Sequence, residues 1–191
     1  MCIRDSSVIG RDITEQVRLR DELRLLSLID PLTKLHNRRG FYLLGEQQLK
    51  VTHRTQNYAL LIFADLDNMK RINDTLGHQT GDQALLDTAQ ALRITFRESD
   101  IIGRLGGDEF AILALDTVPG DREELVERLQ ETLEEKNDLN DRPYKLSLSI
   151  GCVRYDPGQP QLLDELLAEA DALMYEDKRR KSNTRRGDAR T

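Results

Sequence analysis

The chain has no tryptophan, and aromatic residues make up only 5% of its 191 positions. Its core must therefore be built mainly from aliphatic side chains. Cysteine is scarce too: Cys2 and Cys152 lie far apart, without C-x-x-C spacing. That excludes a disulfide framework and a zinc-finger pattern, and it fits a reducing, cytoplasmic setting. The three histidines, His36, His53 and His78, lack metal-ligand spacing. No apolar run reaches transmembrane length and no signal-peptide pattern occurs; the longest stretch, "YALLIFA", has the length of a strand. A G-x-x-x-x-G-K-[ST] phosphate loop and a G-x-S-x-G nucleophile elbow are both missing. Positive charge is in deficit, with 28 Lys and Arg against 34 Asp and Glu and a net charge of -6. That balance argues against a general nucleic-acid binder. It leaves room for a small anionic ligand held by a few local cations and a metal.

What remains is a chain 38% hydrophobic and 32% charged, long enough for one globular domain plus an extension. Residues 1–11 look like a fragment of something longer. Asp12 and Glu15 have capping-box spacing and start a helix running to about Ile29. Leu19, Leu23 and Leu26 follow a 4-3 spacing on it, as in a coiled-coil seam or a helix docking on its own domain. Pro31 ends that helix. The pattern then predicts a helix over 39–51, a buried strand over 58–66, a loop with a short helix, and an amphipathic helix over 81–98. A hairpin over 101–105 and 109–115 follows, then a helix over 119–139, a strand over 144–155 and a helix over 162–180. The organisation expected is residues 1–29 as a sensor remnant and signalling helix, 30–180 as the catalytic domain, and 181–191 as a basic, frayed tail. The fold class is α/β (α+β), with helices covering a sheet that contains a tight hairpin.

Four acids stand out. Asp65 closes the apolar strand, where a carboxylate is costly unless it caps, pairs or binds metal. Asp67 follows two residues on, and Asp108 and Glu109 sit at the tip of "IIGRLGGDEFAIL". Taken alone, Gly-Gly-Asp reads as a hairpin turn with solvated acids. If the Asp65 strand lies beside the hairpin, the carboxylates converge on one sheet edge. A hard divalent cation then offsets their repulsion. Gly106 and Gly107 carry no side chains, so a ligand could lie directly on the turn.

The motifs carry a resemblance. "RLGGDEFAIL" resembles the signature of GGDEF-domain diguanylate cyclases, which condense two GTP into cyclic di-GMP. "DPLTKLHNRRGF" is similar to that family's opening motif, "ADLDNMKRINDTLGHQTGD" to D-x-D-x-F-K-x-x-N-D-x-x-G-H-x-x-G-D with Met69 in place of Phe, "SLSIG" to its fourth-strand motif, and "ADALMYEDK" to A-D-x-A-L-Y-x-A-K. The matches run in family order over about residues 30–178. The resemblance implies a mostly antiparallel central sheet like that of the nucleotidyl cyclase and polymerase palm. It implies Mg2+ or Mn2+ ligation by Asp65, Asp108 and the Leu66 carbonyl, with Asp108 or Glu109 as base for a ribose 3′-hydroxyl. Gly106 and Gly107 would underlie GTP, Asn73 and Asp82 would read guanine, and His78 would neighbour the ligand. Lys70, Arg104 and Lys178 would meet phosphates. Catalysis would need a homodimer, because each domain holds one GTP. Arg97 and Asp100, in "RESD", fall where the family carries its product-inhibition site for cyclic di-GMP.

The sequence also departs from the family. After Lys178 it reads "RRKSN", with Ser182 where an arginine is usual, so Arg179, Arg180 or Lys181 would have to stand in for one phosphate contact. "SVIGRDITEQ" resembles the end of a PAS sensor, whose input the sequence does not reveal. The alternative to an active cyclase is a silent GGDEF module acting as a receptor for GTP or cyclic di-GMP. Neither reading involves nucleic acid or a membrane segment in this chain.

Overall fold

The computed structural model describes residues 28–118, 120–139 and 142–188. The expected N-terminal helix, its leucines, the sensor remnant and Pro119 lie outside the described residues. The chain enters through a turn at 30–33 and a two-residue strand β1 (His36–Asn37). Asn37 caps helix α1 (Arg38–Thr55), its Oδ1 accepting from the Gly40 amide at 2.9 Å. Strand β2 (Tyr58–Leu66) follows, then helices α2 (Met69–Leu76) and α3 (His78–Thr95). The hairpin strands are β3 (Ile101–Gly106) and β4 (Glu109–Thr117). Helix α4 (Asp121–Leu139), strand β5 (Leu148–Tyr155) and helix α5 (Leu163–Asp188) complete the chain.

The five strands lie in the order β1-β3-β4-β2-β5. Only β1 and β3 pair in parallel, so the sheet is mostly antiparallel, as expected. Strand β2 sits between β4 and β5 and is buried on both faces, which explains its unbroken apolar run. Successive side chains point to opposite faces. Ile62, Ala64 and Leu66 join the core formed with Ile72, Leu85 and Leu92 of α2 and α3 and Leu129 of α4. Leu61 and Phe63 join a second core with Phe41 of α1 and Leu163, Leu166 and Ala170 of α5. Helix α5 lies directly on β5: a Cβ on Gly151 would stand 1.9 Å from the Ala170 carbonyl oxygen.

Several boundaries differ from the pattern-based expectation. Helix α1 runs from Arg38 to Thr55, until Gln56 adopts a left-handed φ of 57°. Helix α3 starts at His78 because Gly77, at φ 84°, breaks the chain between α2 and α3. It ends at Thr95, where Phe96 turns extended. The strand expected from Tyr144 begins only at Leu148, because remote side chains hold the residues before it. Asn137 brackets Leu146, its Oδ1 accepting from the Leu146 amide at 2.8 Å and its Nδ2 donating to the Leu146 carbonyl at 2.9 Å. Helix α5 continues through residues expected to form a tail. The Asp177–Lys181 pair, 2.8 Å apart at i,i+4 spacing, supports that extra length.

Candidate active site

The hairpin tip is where the sheet register gathers the acids. Asp65 on β2 pairs directly with Glu109 on β4, and the Leu66 amide donates to the Asp108 carbonyl at 3.0 Å. The tip is shaped by main-chain bonds. Gly107 takes φ 46°, which only glycine adopts without strain, and a bulge lies between Arg104 and Gly106. Arg104 closes the turn: its Nε and Nη2 donate to the Gly107 carbonyl at 3.0 and 2.7 Å.

Arg104, expected to meet phosphate, also has a partner within the protein besides Gly107. Its Nη1 lies 3.3 Å from Asp30, the first residue of "DPLTKL". Asp30 also accepts from the Thr33 amide and hydroxyl, both at 2.7 Å. Burial opposes ionisation of Asp30, but the Thr33 hydrogen bonds and the Arg104 charge outweigh it and hold the carboxyl below its ordinary 3.8. A carboxylate with a depressed pKa stabilises the fold above its ordinary pKa and loses that contribution as pH falls through the folded value. The melting-temperature gap between wild type and Asp30→Asn should thus be full at pH 7 and close progressively below about pH 4. A gap unchanged between pH 7 and 3 would remove the carboxylate from this role.

Asp65 is buried and its Oδ1 lies 2.6 Å from Lys178 Nζ on α5. Burial pushes the Asp65 carboxyl up, the Asp108 and Asp67 charges push the same way, and Lys178 opposes them without winning. Glu109 is also raised, by burial first and then by Asp108, Asp171 and Asp65, with Arg38 opposing. Lys178 is raised in turn: burial works against its charge, but Asp65 and the neighbouring acids prevail. One ammonium thus leaves the acidic tip short of positive charge. The Asp108 carboxylate has no hydrogen-bond or ion-pair partner among the described residues.

The donor set at the tip is all oxygen, from two carboxylates and the Leu66 carbonyl, which suits a hard divalent cation. Among the described residues no group of three His, Cys, Asp or Glu side chains could hold an ion unaided. An ion here would draw the rest of its shell from phosphate and water, as Mg2+ commonly does. The residues present fit such an ion.

On the opposite face, Asn73 of α2 meets Gly81 of α3, the residue next in sequence to Asp82. Asn73 Oδ1 is buried and has no hydrogen-bond partner. Gly81 makes its position possible, since a Cβ there would stand 2.0 Å from that oxygen. Asp82, Lys70 and His78 are solvent-exposed.

Arg97 and Asp100 line a cavity of about 110 Å³ together with Arg128 of α4. The Asp100 carboxylate already accepts from the Arg97 and Leu115 amides, at 2.9 and 3.0 Å, and so fixes the turn before β3. The Arg97 side chain is exposed. Of the cations expected to replace the arginine at Ser182, Lys181 donates to the Leu148 carbonyl and pairs with Asp177. Arg180 also reaches Asp177, at 3.7 Å.

Sequence reasoning missed Asp30, Gly81, Asp87, Arg128 and the role of Asp67. Asp30 and Gly81 lie inside quoted motifs and could have been singled out there. Asp87 and Arg128 carry no local signal.

A family model described as "Diguanylate cyclase, GGDEF domain" matches residues 27–184. Among curated relatives, the bifunctional diguanylate cyclase/cyclic di-GMP phosphodiesterase MucR of Pseudomonas aeruginosa is 38% identical over 165 residues, covering 86% of this chain and 24% of MucR. Diguanylate cyclase DgcP of Escherichia coli is 35% identical over 159 residues, covering 83% of this chain and 46% of DgcP. The chain thus spans less than half the length of these relatives. The isolated GGDEF domain of TpbB (YfiN) from P. aeruginosa superposes with a TM-score of 0.72 at 33% identity, covering 80% of this chain and 89% of that one. Among the described residues no helix is long and apolar enough to cross a membrane.

Proposed function

Because this chain belongs to the GGDEF-domain family of diguanylate cyclases, we propose that it condenses two GTP into cyclic di-GMP with release of two pyrophosphates. The observation that carries this reading is the hairpin tip. Asp65, Asp108 and Glu109 converge on a side-chain-free glycine turn, with too little positive charge beside them. Such a tip is made to receive cations and phosphate. A bound Mg2+ or Mn2+ would neutralise charge on the phosphate oxygens and acidify the attacking hydroxyl.

The protein's own residues do the positioning. Gly106 and Gly107 let the triphosphate lie on the turn. Lys178, beside Asp65, and Lys70, exposed on α2, offset phosphate charge. Asn73 Oδ1 and the Asp82 carboxylate accept from the N1–H and N2–H2 donors of guanine, a pair that adenine lacks. The unpartnered Asn73 oxygen supports this reading, because a buried acceptor left alone penalises any base that cannot donate to it. His78, exposed at the start of α3, is the further side chain assigned to neighbour the ligand. The 3′-oxygen of one GTP attacks the α-phosphorus of the other, and Asp108 or Glu109 takes its proton. Each domain binds one GTP, so two copies must face each other, and the N-terminal helix expected before Asp30 is the element to pair them. Arg104 acts through the turn it closes.

Incubation with GTP and Mg2+, followed by chromatography of the products, tests the reading. Cyclic di-GMP formed at a rate that rises with protein concentration supports it. A demonstrably dimeric sample that binds GTP but makes no product favours the receptor reading instead.

Product inhibition is part of the proposal. Arg97, Asp100 and Arg128 line a cavity at the base of the same hairpin, where the exposed Arg97 side chain offers a contact to a phosphodiester and the Asp100 carboxylate an acceptor for a guanine edge. Arg97→Ala is expected to weaken cyclic di-GMP binding roughly tenfold or more, the loss of one charge-assisted contact, and to raise the steady-state rate. Unchanged binding by calorimetry would refute the assignment.

A further inference from the structure

We propose that the segment 142–147 is a strut that sets the α2–α3 helix pair against the carboxylate end of the sheet. In this arrangement Asp87 and Ser147 are positioning residues for the side chains that read guanine. The proposal rests on the nucleotide reading above. It starts from two buried carboxylates that the chemistry at the hairpin does not use. Asp87, on α3, is only 3% exposed, and Asp67, between β2 and α2, only 4%.

Both are fully engaged, and both are engaged by the same segment. Tyr144 donates its hydroxyl to Asp87 Oδ2 at 2.6 Å, and Arg142 Nη1 lies 2.5 Å from the same oxygen. Gln83 Nε2, next in sequence to Asp82, donates to Asp87 Oδ1 at 3.1 Å. At the other end, Ser147 Oγ donates to Asp67 Oδ2 at 2.6 Å, and the Asp67 amide donates to the Ser147 carbonyl at 2.8 Å. Ser149 Oγ on β5 donates to Asp67 Oδ1 at 2.7 Å. One end of the segment therefore grips the helix that carries Asp82. The other grips the turn that leads from Asp65 into the helix carrying Lys70 and Asn73.

Buried ion pairs often give no more stability than an apolar filler of the same volume. What they provide here is direction. Each carboxylate accepts at both oxygens, so its donors can sit in only one register. The strut fixes the distance between the base-reading helices and the phosphate end of the sheet, and small errors there are costly for a nucleotide that must reach both.

Tyr144→Phe and Ser147→Ala each remove one bond from opposite ends. The test is equilibrium binding of GTP and of ITP to the full chain, with melting temperatures in parallel. Inosine lacks the exocyclic amino group of guanine, so the GTP-to-ITP affinity ratio reports how well Asn73 and Asp82 are aimed. The expected result is a ratio lowered roughly three- to tenfold in both variants, about the worth of one hydrogen bond. GTP binding should fall more than ITP binding. A lowered melting temperature with an unchanged ratio overturns the proposal, as does failure of both variants to fold, because the segment would then serve the fold alone. Wild-type protein that binds neither nucleotide sinks the nucleotide reading itself, and the proposal with it.

Discussion

Replacing Asp108 with alanine is expected to lower cyclic di-GMP formation roughly a hundred- to a thousandfold, while shifting the melting temperature by no more than about 2 °C. The two halves of this result have separate causes. The turn that presents Asp108 is held by main-chain bonds: Leu66 amide to Asp108 carbonyl, and Arg104 to the Gly107 carbonyl. Alanine keeps all of them. The Asp108 carboxylate itself has no partner to lose among the described residues, and it adds to the crowding that lifts Asp65 and Glu109. Its removal relieves repulsion and costs the fold little. The chemistry loses one of the two carboxylates proposed to hold the metal. Asp65→Ala is a poorer test, because it strands the Lys178 ammonium and mixes stability with activity. Product quantified by chromatography, with thermal melts on the same samples, checks both halves. Activity above about a tenth of wild type would take Asp108 out of the chemistry.

The reach of the sequence can be judged from the same residues. The strands over 58–66 and 109–115 were legible because an apolar run between turn residues leaves few alternatives, and their pairing places Asp65 opposite Glu109. The carboxylate cluster could therefore be anticipated from residues far apart in the chain. What could not be read is which polar groups find each other across the fold. Nothing near Arg104 in the sequence points to its partner Asp30, 74 residues away. The Lys178–Asp65 contact spans 113 residues. "YKLS" alternates like a strand, yet Asp87, Asn137 and Asp67 satisfy its polar groups and keep it out of the ladder. "KRRKSNTRR" has the composition of a tail, and only the position of Asp177 one turn back shows how a helix accommodates it. Periodicity reports burial. It carries no information about a buried charge whose partner belongs to another element.

The second large effect is expected from the smallest change, Gly81→Ala. A Cβ at this position would stand 2.0 Å from Asn73 Oδ1 and 3.0 Å from Met69 Cε, so the Asn73 carboxamide must move. The fold should tolerate the move. The displaced atoms are the ends of flexible side chains, Gly81 lies within α3, and alanine is the better helix former by about 1 kcal/mol. Thermal stability should hold steady or rise. The nucleotide site should not tolerate it, because the displaced oxygen is the buried acceptor proposed to read guanine. GTP affinity should fall roughly ten- to a hundredfold, the range for a buried hydrogen bond lost together with crowding of its pocket. Asn73→Ala should cause a similar loss. Because Gly81→Ala acts by displacing Asn73, the double variant should bind GTP about as well as either single one, a strongly non-additive cycle. Full additivity in calorimetric titrations would show that Gly81 acts elsewhere, and undiminished affinity in both single variants would remove Asn73 from guanine recognition.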